Sequence, residues 1–328
     1  LGQPLTDVLQ PRQEGHFLYL TGVDEPGAAL LLAGSKAAPL QLDTRGGKVA
    51  THEICLLMHA NPRFAQFYGL RFRPGSETAR KLGFAVTHPA PRGAAALAQF
   101  IAGLLPKGAR IRIPQYAGPD HATVREIRRG LVESLAKAGL VIDGLHAQLS
   151  SMRSRKDAYE IDCLRRAIAI TQAAFREAAV DIRPGSSEAA VDGALLRGVR
   201  RRGGRPAYPF VVASGGHAAI PHYFRNDADL DEGVALLIDA GAAWDRYAAD
   251  ITRVFPVSGR FTPRQREIYG IVLRAQAAAI AAVRPGASFA KVDAAARKVI
   301  ADAGYGQHFI HGTSHHVGLD VHDPGPTK

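Results

Sequence analysis

The sequence predicts an α+β protein of two domains. A smaller α/β domain occupies residues 1–150, and residues 151–328 form a second domain in which helix pairs alternate with strands. Three observations carry this reading. A chain of 328 residues exceeds what one hydrophobic core usually organises. Short strand-like and helical runs alternate up to about Ser150, where the chain turns Ala- and Arg-rich and helical. Lastly, IRPGSSEAAVDGA (Ile182–Ala194) repeats as VRPGASFAKVDAA (Val283–Ala295).

In the first domain, Phe17–Leu20 and Ala29–Leu32 are short apolar runs expected as buried strands, separated by a turn at Asp24-Glu25-Pro26-Gly27. Helical spacing follows over Gly93–Leu105. Arg110–Pro114 is a further strand candidate. Ala122–Gly139 is a second helix, ending on a glycine suited to a C-cap. This half contains no glycine-rich phosphate loop and no catalytic cluster.

In the second domain a helix runs from Lys156 toward Val180, with Ile161, Leu164, Ile168, Ala174 and Phe175 expected on its buried face. It stops before Arg183-Pro184-Gly185, and a helix from Pro263 toward Val283 stops before Arg284-Pro285-Gly286. In each case Pro-Gly closes one helix and a serine opens the next. The repeat therefore predicts two related halves, each a helix pair followed by sheet, with a site between them. Phe210–Ala213, Ala235–Asp239 and Ala248–Val257 are the expected strands.

Composition narrows the function classes. Cys55 and Cys163 fall in different domains, which argues against a disulfide framework and for a reducing, cytoplasmic setting. A net charge of +11 raises nucleic-acid binding, but no zinc knuckle, RNP-type motif or basic stretch with interleaved aromatics accompanies it, so none is expected. No apolar run is long enough for a membrane span. LGQPLTDVLQ, which lacks an initiator Met, has neither the basic nor the apolar region of a signal peptide.

The chemistry concentrates at two places. Asp239 (ALLIDAGA) and Asp250 (YAADITRVFP) are acids in or beside apolar strands, a costly placement unless something compensates it. In a hairpin centred on Trp244-Asp245 they are directly opposed, with Cβ atoms roughly 4.5–5.5 Å apart. Two carboxylates so close must share a proton or a cation. Paired metals spaced by about 3.5–4 Å suit such a pair. On spacing alone another reading stays open, in which Asp245 caps the turn and Asp250 merely bonds Thr252. The second place is HGTSHHVGLDVHD, where His311, His315, His316 and His322 crowd into a Gly-punctuated loop. Imidazole is the natural nitrogen ligand beside carboxylates for Mn, Co, Zn or Fe. His222, in IPHYFRND, is a further candidate; His308 and His316 have no special claim.

These residues resemble the pita-bread metallopeptidases, in particular the Xaa-Pro aminopeptidase (aminopeptidase P) branch. MRSRKDAYEIDCLRRAIAI is similar to that family's first helix of the catalytic domain, and PFVVASGGHAAIPHYFRN to its substrate-pocket strand and loop. LLIDAGAAWDRYAADITRVFPVSGRFTPRQREIY is similar to its two-aspartate hairpin, and HGTSHHVGLDVHD to its histidine loop. FLYLTGVDEPGAALLL resembles, less tightly, the creatinase/aminopeptidase-P-like N-terminal domain. The resemblance implies a curved antiparallel sheet flanked by helix pairs with pseudo-twofold symmetry. It implies two divalent ions, Mn first with Co or Zn as alternatives. Asp239 would hold one ion, Asp250 would bridge both and His315 would supply nitrogen. His222, His311 and His322 would hold the substrate and stabilise the tetrahedral intermediate. The implied substrate is a peptide with proline second, and association into homo-oligomers is a further expectation. The family completes its centre with two glutamates beyond the histidine loop, positions past Lys328. Competing readings are therefore a non-catalytic peptide-binding or truncated form on this scaffold, and an Xaa-Pro dipeptidase.

Overall fold

A computed structural model of the chain describes residues 15–24, 28–34, 37–44, 47–58, 72–114 and 122–326. The chain divides into two compact units, Leu1–Leu149 and Ser150–Lys328. None of the described helices is long and apolar enough to cross a membrane.

The first unit begins with a correction. Phe17–Leu20 is not a strand but part of helix α1 (Gly15–Thr21), which ends as Gly22 turns left-handed and donates its N–H to Leu18 O. A four-residue apolar run fits either structure, and only the helical hydrogen bonds decide. Strands β1 (Ala29–Leu32), β2 (Leu40–Thr44), β3 (Gly47–Thr51) and β4 (Glu53–Met58) follow, with β2 and β3 paired as a hairpin. Helix α2 (Ser76–Leu82) leads to β5 (Thr87–Ala90), which pairs parallel with β4, while β1 pairs antiparallel on its other side. Central position explains why Ile54, Cys55, Leu56 and Leu57 of β4 are all fully buried. Helix α3 (Ala94–Gly103) precedes β6 (Arg110–Ile113), and α4 (Ala122–Lys137) carries the chain to β7 (Val141–Gly144), parallel to β6. Gly139 closes α4 in the left-handed conformation, as its position predicts. Of the expected turn at 24–27, residues 25–27 lie outside the described residues.

Helix α5 (His146–Ser154) contains the division between the units. Helix α6 (Ala158–Ala178) starts at a reciprocal capping box: Asp157 accepts from Glu160 N, and Glu160 accepts from Asp157 N. Its buried face matches the expected stripe at Ala174 and Phe175 and departs from it in the first turns. Cys163, Ala167, Ala174 and Ala178 are buried, while Ile161 and Ile168 are 38% and 40% exposed. The helix packs closely against α7 (Glu188–Arg200): a Cβ on Gly198 would sit 2.8 Å from Ala174 Cα. Only a small side chain permits that approach at Ala174, while Ile170 and Phe175 are buried in the core beside it.

The sequence repeat is equally a structural one. Gly185 and Gly286 have φ of 78° and 82°, Ser186 N donates to Arg183 O, and Ala287 N donates to Arg284 O. Ser187 then caps α7 and Ser288 caps α9 (Phe289–Asp302), whose partner α8 (Pro263–Ala282) opens at Thr262 with its own capping box.

Between the helix pairs lie β8 (Arg205–Pro206), β9 (Val211–Ser214), β10 (Ala235–Ala240), β11 (Ala242–Trp244), β12 (Tyr247–Ala248) and β13 (Ile251–Pro256). Strand β10 is central between β9 and β13, and β11 is central between β8 and β12. The hairpin turns at Asp245-Arg246, both with positive φ (46° and 74°), rather than at Trp244-Asp245. Asp239 therefore faces Thr252 and not Asp250. At Gly241 the two arms approach so closely that a Cβ would lie 1.8 Å from Ala249 O.

The fully buried Glu188 holds together the helix start, β9 and the loop after it. It accepts from Ser214 N (2.7 Å), Ser214 Oγ (2.8 Å), Tyr223 OH (2.9 Å) and Ala228 N (3.0 Å). Burial alone would raise its pKa, yet these donors together hold the carboxyl below its ordinary range.

Two outcomes follow for stability. Gly241→Ala forces backbone apart at the hairpin and should cost about 3 kcal/mol or more, read on the second unit's urea transition. Glu188→Gln should cost about 2–4 kcal/mol at pH 7 by leaving buried donors poorly matched. A depressed carboxyl contributes stability above its unfolded pKa and loses it as pH falls through the folded value. The gap between wild type and Glu188→Gln should therefore narrow as acid unfolding is approached, and a gap that widens would contradict the assignment.

Candidate metal centre

Strand β10 delivers Asp239, and Asp250 stands just before β13 on the returning arm. Although not opposed in register, the two carboxylates meet on one hydroxyl: Tyr208 OH lies 2.7 Å from Asp239 Oδ1 and 2.8 Å from Asp250 Oδ1. Tyr208 comes from the segment between β8 and β9, and nothing in the sequence marked it. A phenol has one proton and can donate to only one carboxylate at a time. The second contact thus needs a proton on the other acid or a positive charge close by.

The pair is electrostatically unequal. Burial, joined by the charge of Asp250, raises the pKa of Asp239, which also hydrogen-bonds Thr252. Thr252 therefore partners Asp239, not Asp250 as the simpler sequence reading had it. For Asp250, burial pulls upward, but bonds from His315 and Tyr208 outweigh it and its pKa falls. The Tyr208 phenol is pushed up by burial and by both acids.

His315 Nε2 is 3.0 Å from Asp250 Oδ2, and its Nδ1 donates to His316 O at 2.8 Å. A backbone carbonyl only accepts, so Nδ1 must carry hydrogen. A neutral ring would then aim the Nε2 lone pair at a carboxylate oxygen, which is repulsive. Either a proton or a metal ion must stand between them, and the bond to Asp250 accordingly raises the His315 pKa against the opposing effect of burial. Two carboxylates and one imidazole nitrogen around Asp250 are the donor types that a divalent ion of the Mn, Co or Zn type takes. Among the described residues, no group of three or more His, Cys, Asp and Glu is arranged to hold a metal ion, so it is the donor chemistry and not a formed cage that fits one.

The histidines divide into two sets. His322 packs edge-on against His315 with ring centroids 4.3 Å apart; burial and the His315 charge lower its pKa, and His222 lies within electrostatic reach. His222 itself stacks on Phe224 at 5.9 Å. His311 keeps to its own loop, its ring against Phe309 at 5.3 Å and its Nδ1 on Gly312 O. His316 contacts Pro326 O and the edge of Phe289. All of His222, His311, His315 and His322 are exposed, so the cluster is open to a large ligand.

Comparison with known proteins agrees with this chemistry. The model of metallopeptidase family M24 matches residues 162–327. The Xaa-Pro aminopeptidase of Escherichia coli is 33% identical over 337 residues, covering 96% of this chain and 73% of that protein. The Haemophilus influenzae Xaa-Pro aminopeptidase is 34% identical, covering 96% and 72%. The Xaa-Pro dipeptidase of Pyrococcus furiosus is 36% identical over 176 residues, 53% of this chain and 50% of that one. Among solved structures, zinc-substituted E. coli aminopeptidase P in complex with product matches with a TM-score of 0.78 at 30% identity, covering 96% of this chain and 73% of that one. Proline aminopeptidase P II from Yersinia pestis matches with a TM-score of 0.76 at 30% identity over 96% and 74% of the two chains. The α+β pita-bread fold is therefore common to this chain and these structures, and the chain belongs to metallopeptidase family M24.

Proposed function

We propose that this chain is a metal-dependent aminopeptidase that removes the N-terminal residue from peptides with proline in the second position. The observation that carries the reading is the convergence of Asp239 and Asp250 on Tyr208, with His315 Nε2 at Asp250 and His322 packed on His315. Asp239, Asp250 and His315 would hold the metal, Mn before Co or Zn. Bound divalent metal supplies Lewis-acid activation of water for attack on a peptide carbonyl.

The chain's own residues do the rest. Tyr208 orients the two carboxylates. His322, whose pKa is lowered by burial and by the charge of His315, can donate a ring N–H to a peptide carbonyl. His222, within electrostatic reach of His322, and His311 would hold the substrate and its tetrahedral intermediate. Proline suits these walls because its amide brings no N–H that would need a buried partner. The two buried free cysteines, Cys55 and Cys163, accord with a reducing, cytoplasmic location.

A second reading, Xaa-Pro dipeptidase, is favoured by the likeness to the Pyrococcus furiosus protein named so. Assaying an Xaa-Pro-Xaa tripeptide beside an Xaa-Pro dipeptide after Mn(II) loading separates the two. Tripeptide cleavage supports the aminopeptidase; dipeptide cleavage alone supports the other. Metal binding with neither activity would leave a peptide-binding protein on this scaffold.

Asp250→Ala should abolish stoichiometric metal binding and turnover together, and retained metal with full activity would sink the ligand assignment. Tyr208→Phe leaves the ligands in place but removes their common partner. It should weaken metal affinity by about 10–100-fold, measured by competition with a chelator.

A further inference from the structure

The segment from Ile310 to Pro326 contains neither helix nor strand, so no hydrogen-bonded ladder fixes its histidines. At its start Arg297 grips it, donating to Phe309 O (2.8 Å) and His311 O (3.2 Å). Its far end is held by a different device. Arg153, on α5 and 167 residues upstream of Asp320, is 1% exposed at its side chain. Its Nη2 donates to Asp320 Oδ2 at 2.7 Å and to Asp323 Oδ1 at 2.5 Å. Lys156 Nζ adds a bond to Asp323 Oδ2 at 3.1 Å. Two cations thus meet two carboxylates, and the buried group is neutral as a whole. An unmatched charge at such depth would be strongly destabilising.

The contacts continue from this cluster to the candidate metal ligand. Asp323 Oδ1 also accepts from Asp320 N (3.1 Å), which closes a turn around His322. Asp323 N donates to His316 O (3.0 Å), the same carbonyl that receives His315 Nδ1–H. Gly318 makes room: a Cβ there would lie 2.5 Å from Asp323 Oδ2. Gly318 O in turn accepts from Ala248 N (2.8 Å), which ties the loop to the hairpin that carries Asp250.

We propose that Arg153 is the positioning residue of the histidine loop: by gripping Asp320 and Asp323 on either side of His322, it sets His322 and, through His316 O, His315 against Asp250. Arg153 touches no substrate and acts through the loop. The catalytic consequence rests on the aminopeptidase reading; the positioning does not.

Two variants of the full chain test this. Arg153→Lys keeps the charge but loses the planar fork. Arg153→Met combined with Lys156→Met, Asp320→Asn and Asp323→Asn removes all four charges of the cluster together, and decides the matter if Arg153→Lys fails to fold. Amide hydrogen exchange and imidazole ring NMR are recorded without metal, then kcat and KM on an Xaa-Pro-Xaa peptide after Mn(II) loading. Protection at the Gly318, Asp320 and Asp323 amides should fall by about tenfold or more while β9, β10 and β13 keep theirs. The His315 and His322 ring signals should shift, and kcat should fall by about 10–100-fold with little change in KM. Unchanged loop protection and ring signals would overturn the proposal. Altered loop signals in the variants, beside a wild type that binds Mn(II) but cleaves no Xaa-Pro peptide, would uphold the positioning and refute the aminopeptidase reading.

Discussion

A carboxylate taken out of water must be surrounded by donors, and the second unit uses this requirement to fasten its loops. Glu188 collects donors from both ends of the segment between Ser214 and Ala228, the segment that presents His222. Asp323, gripped by Arg153 and Lys156, does the same for the end of the histidine loop. Neither acid is placed to react with anything. Each makes an irregular stretch of backbone adopt one path, because any other path would leave a buried charge or a buried N–H without its partner.

The internal repeat shows the same device used twice. Asp192 and Asp293 occupy equivalent positions in the second helix of each pair. Burial raises the pKa of Asp192, which bonds Asn226. Asn226 in turn accepts from Val212 N and donates to Phe210 O, which pins the loop of His222 to the sheet. Asp293 accepts from Arg297 and from Thr313, inside the histidine loop. Both halves thus send a histidine-bearing loop toward the site and anchor it from the same helical position. Their surroundings differ. Thr171 of the first pair is buried and accepts from Ala242 N in the sheet, whereas Val272, at the equivalent place in the second pair, is 54% exposed.

Much of this was legible in the sequence because it is written in local chemistry. Serine caps, Pro-Gly stops and the recurrence of both located the helix pairs of the second unit. The clustering of histidines and the two strand acids pointed to the candidate centre before any geometry was known. What escaped was set by tertiary contact. Tyr208 is 31 residues from Asp239 and 42 from Asp250, and a lone tyrosine before a strand looks like any other. Arg153 reads as one more surface arginine until its two partners, at the other end of the unit, bury it. The hairpin register failed by one residue at the turn because Asp and Arg adopt positive φ there without a glycine to announce it. The buried stripe of α6 held at Ala174 and Phe175 but not in the first turns, where Cys163 and Ala167 are buried and Ile161 and Ile168 face outward.

A peptidase site has to satisfy opposed demands. Its reactive groups must be reachable by a peptide, yet they must hold their geometry closely, because displacement by about 1 Å can cost a hundredfold in rate. Here Asp250, His222, His311, His315 and His322 are all exposed, and exposed side chains on irregular backbone are the ones most free to move. The fold separates the two properties by depth. The imidazoles face solvent while the backbone that carries them is tied, within a few residues, to groups with almost no exposure: Glu188 behind His222, and Arg153 with Asp323 behind His322. Rigidity is supplied from beneath and access is left above. This is why the charged residues that fix the site are found outside the motifs that first identify it.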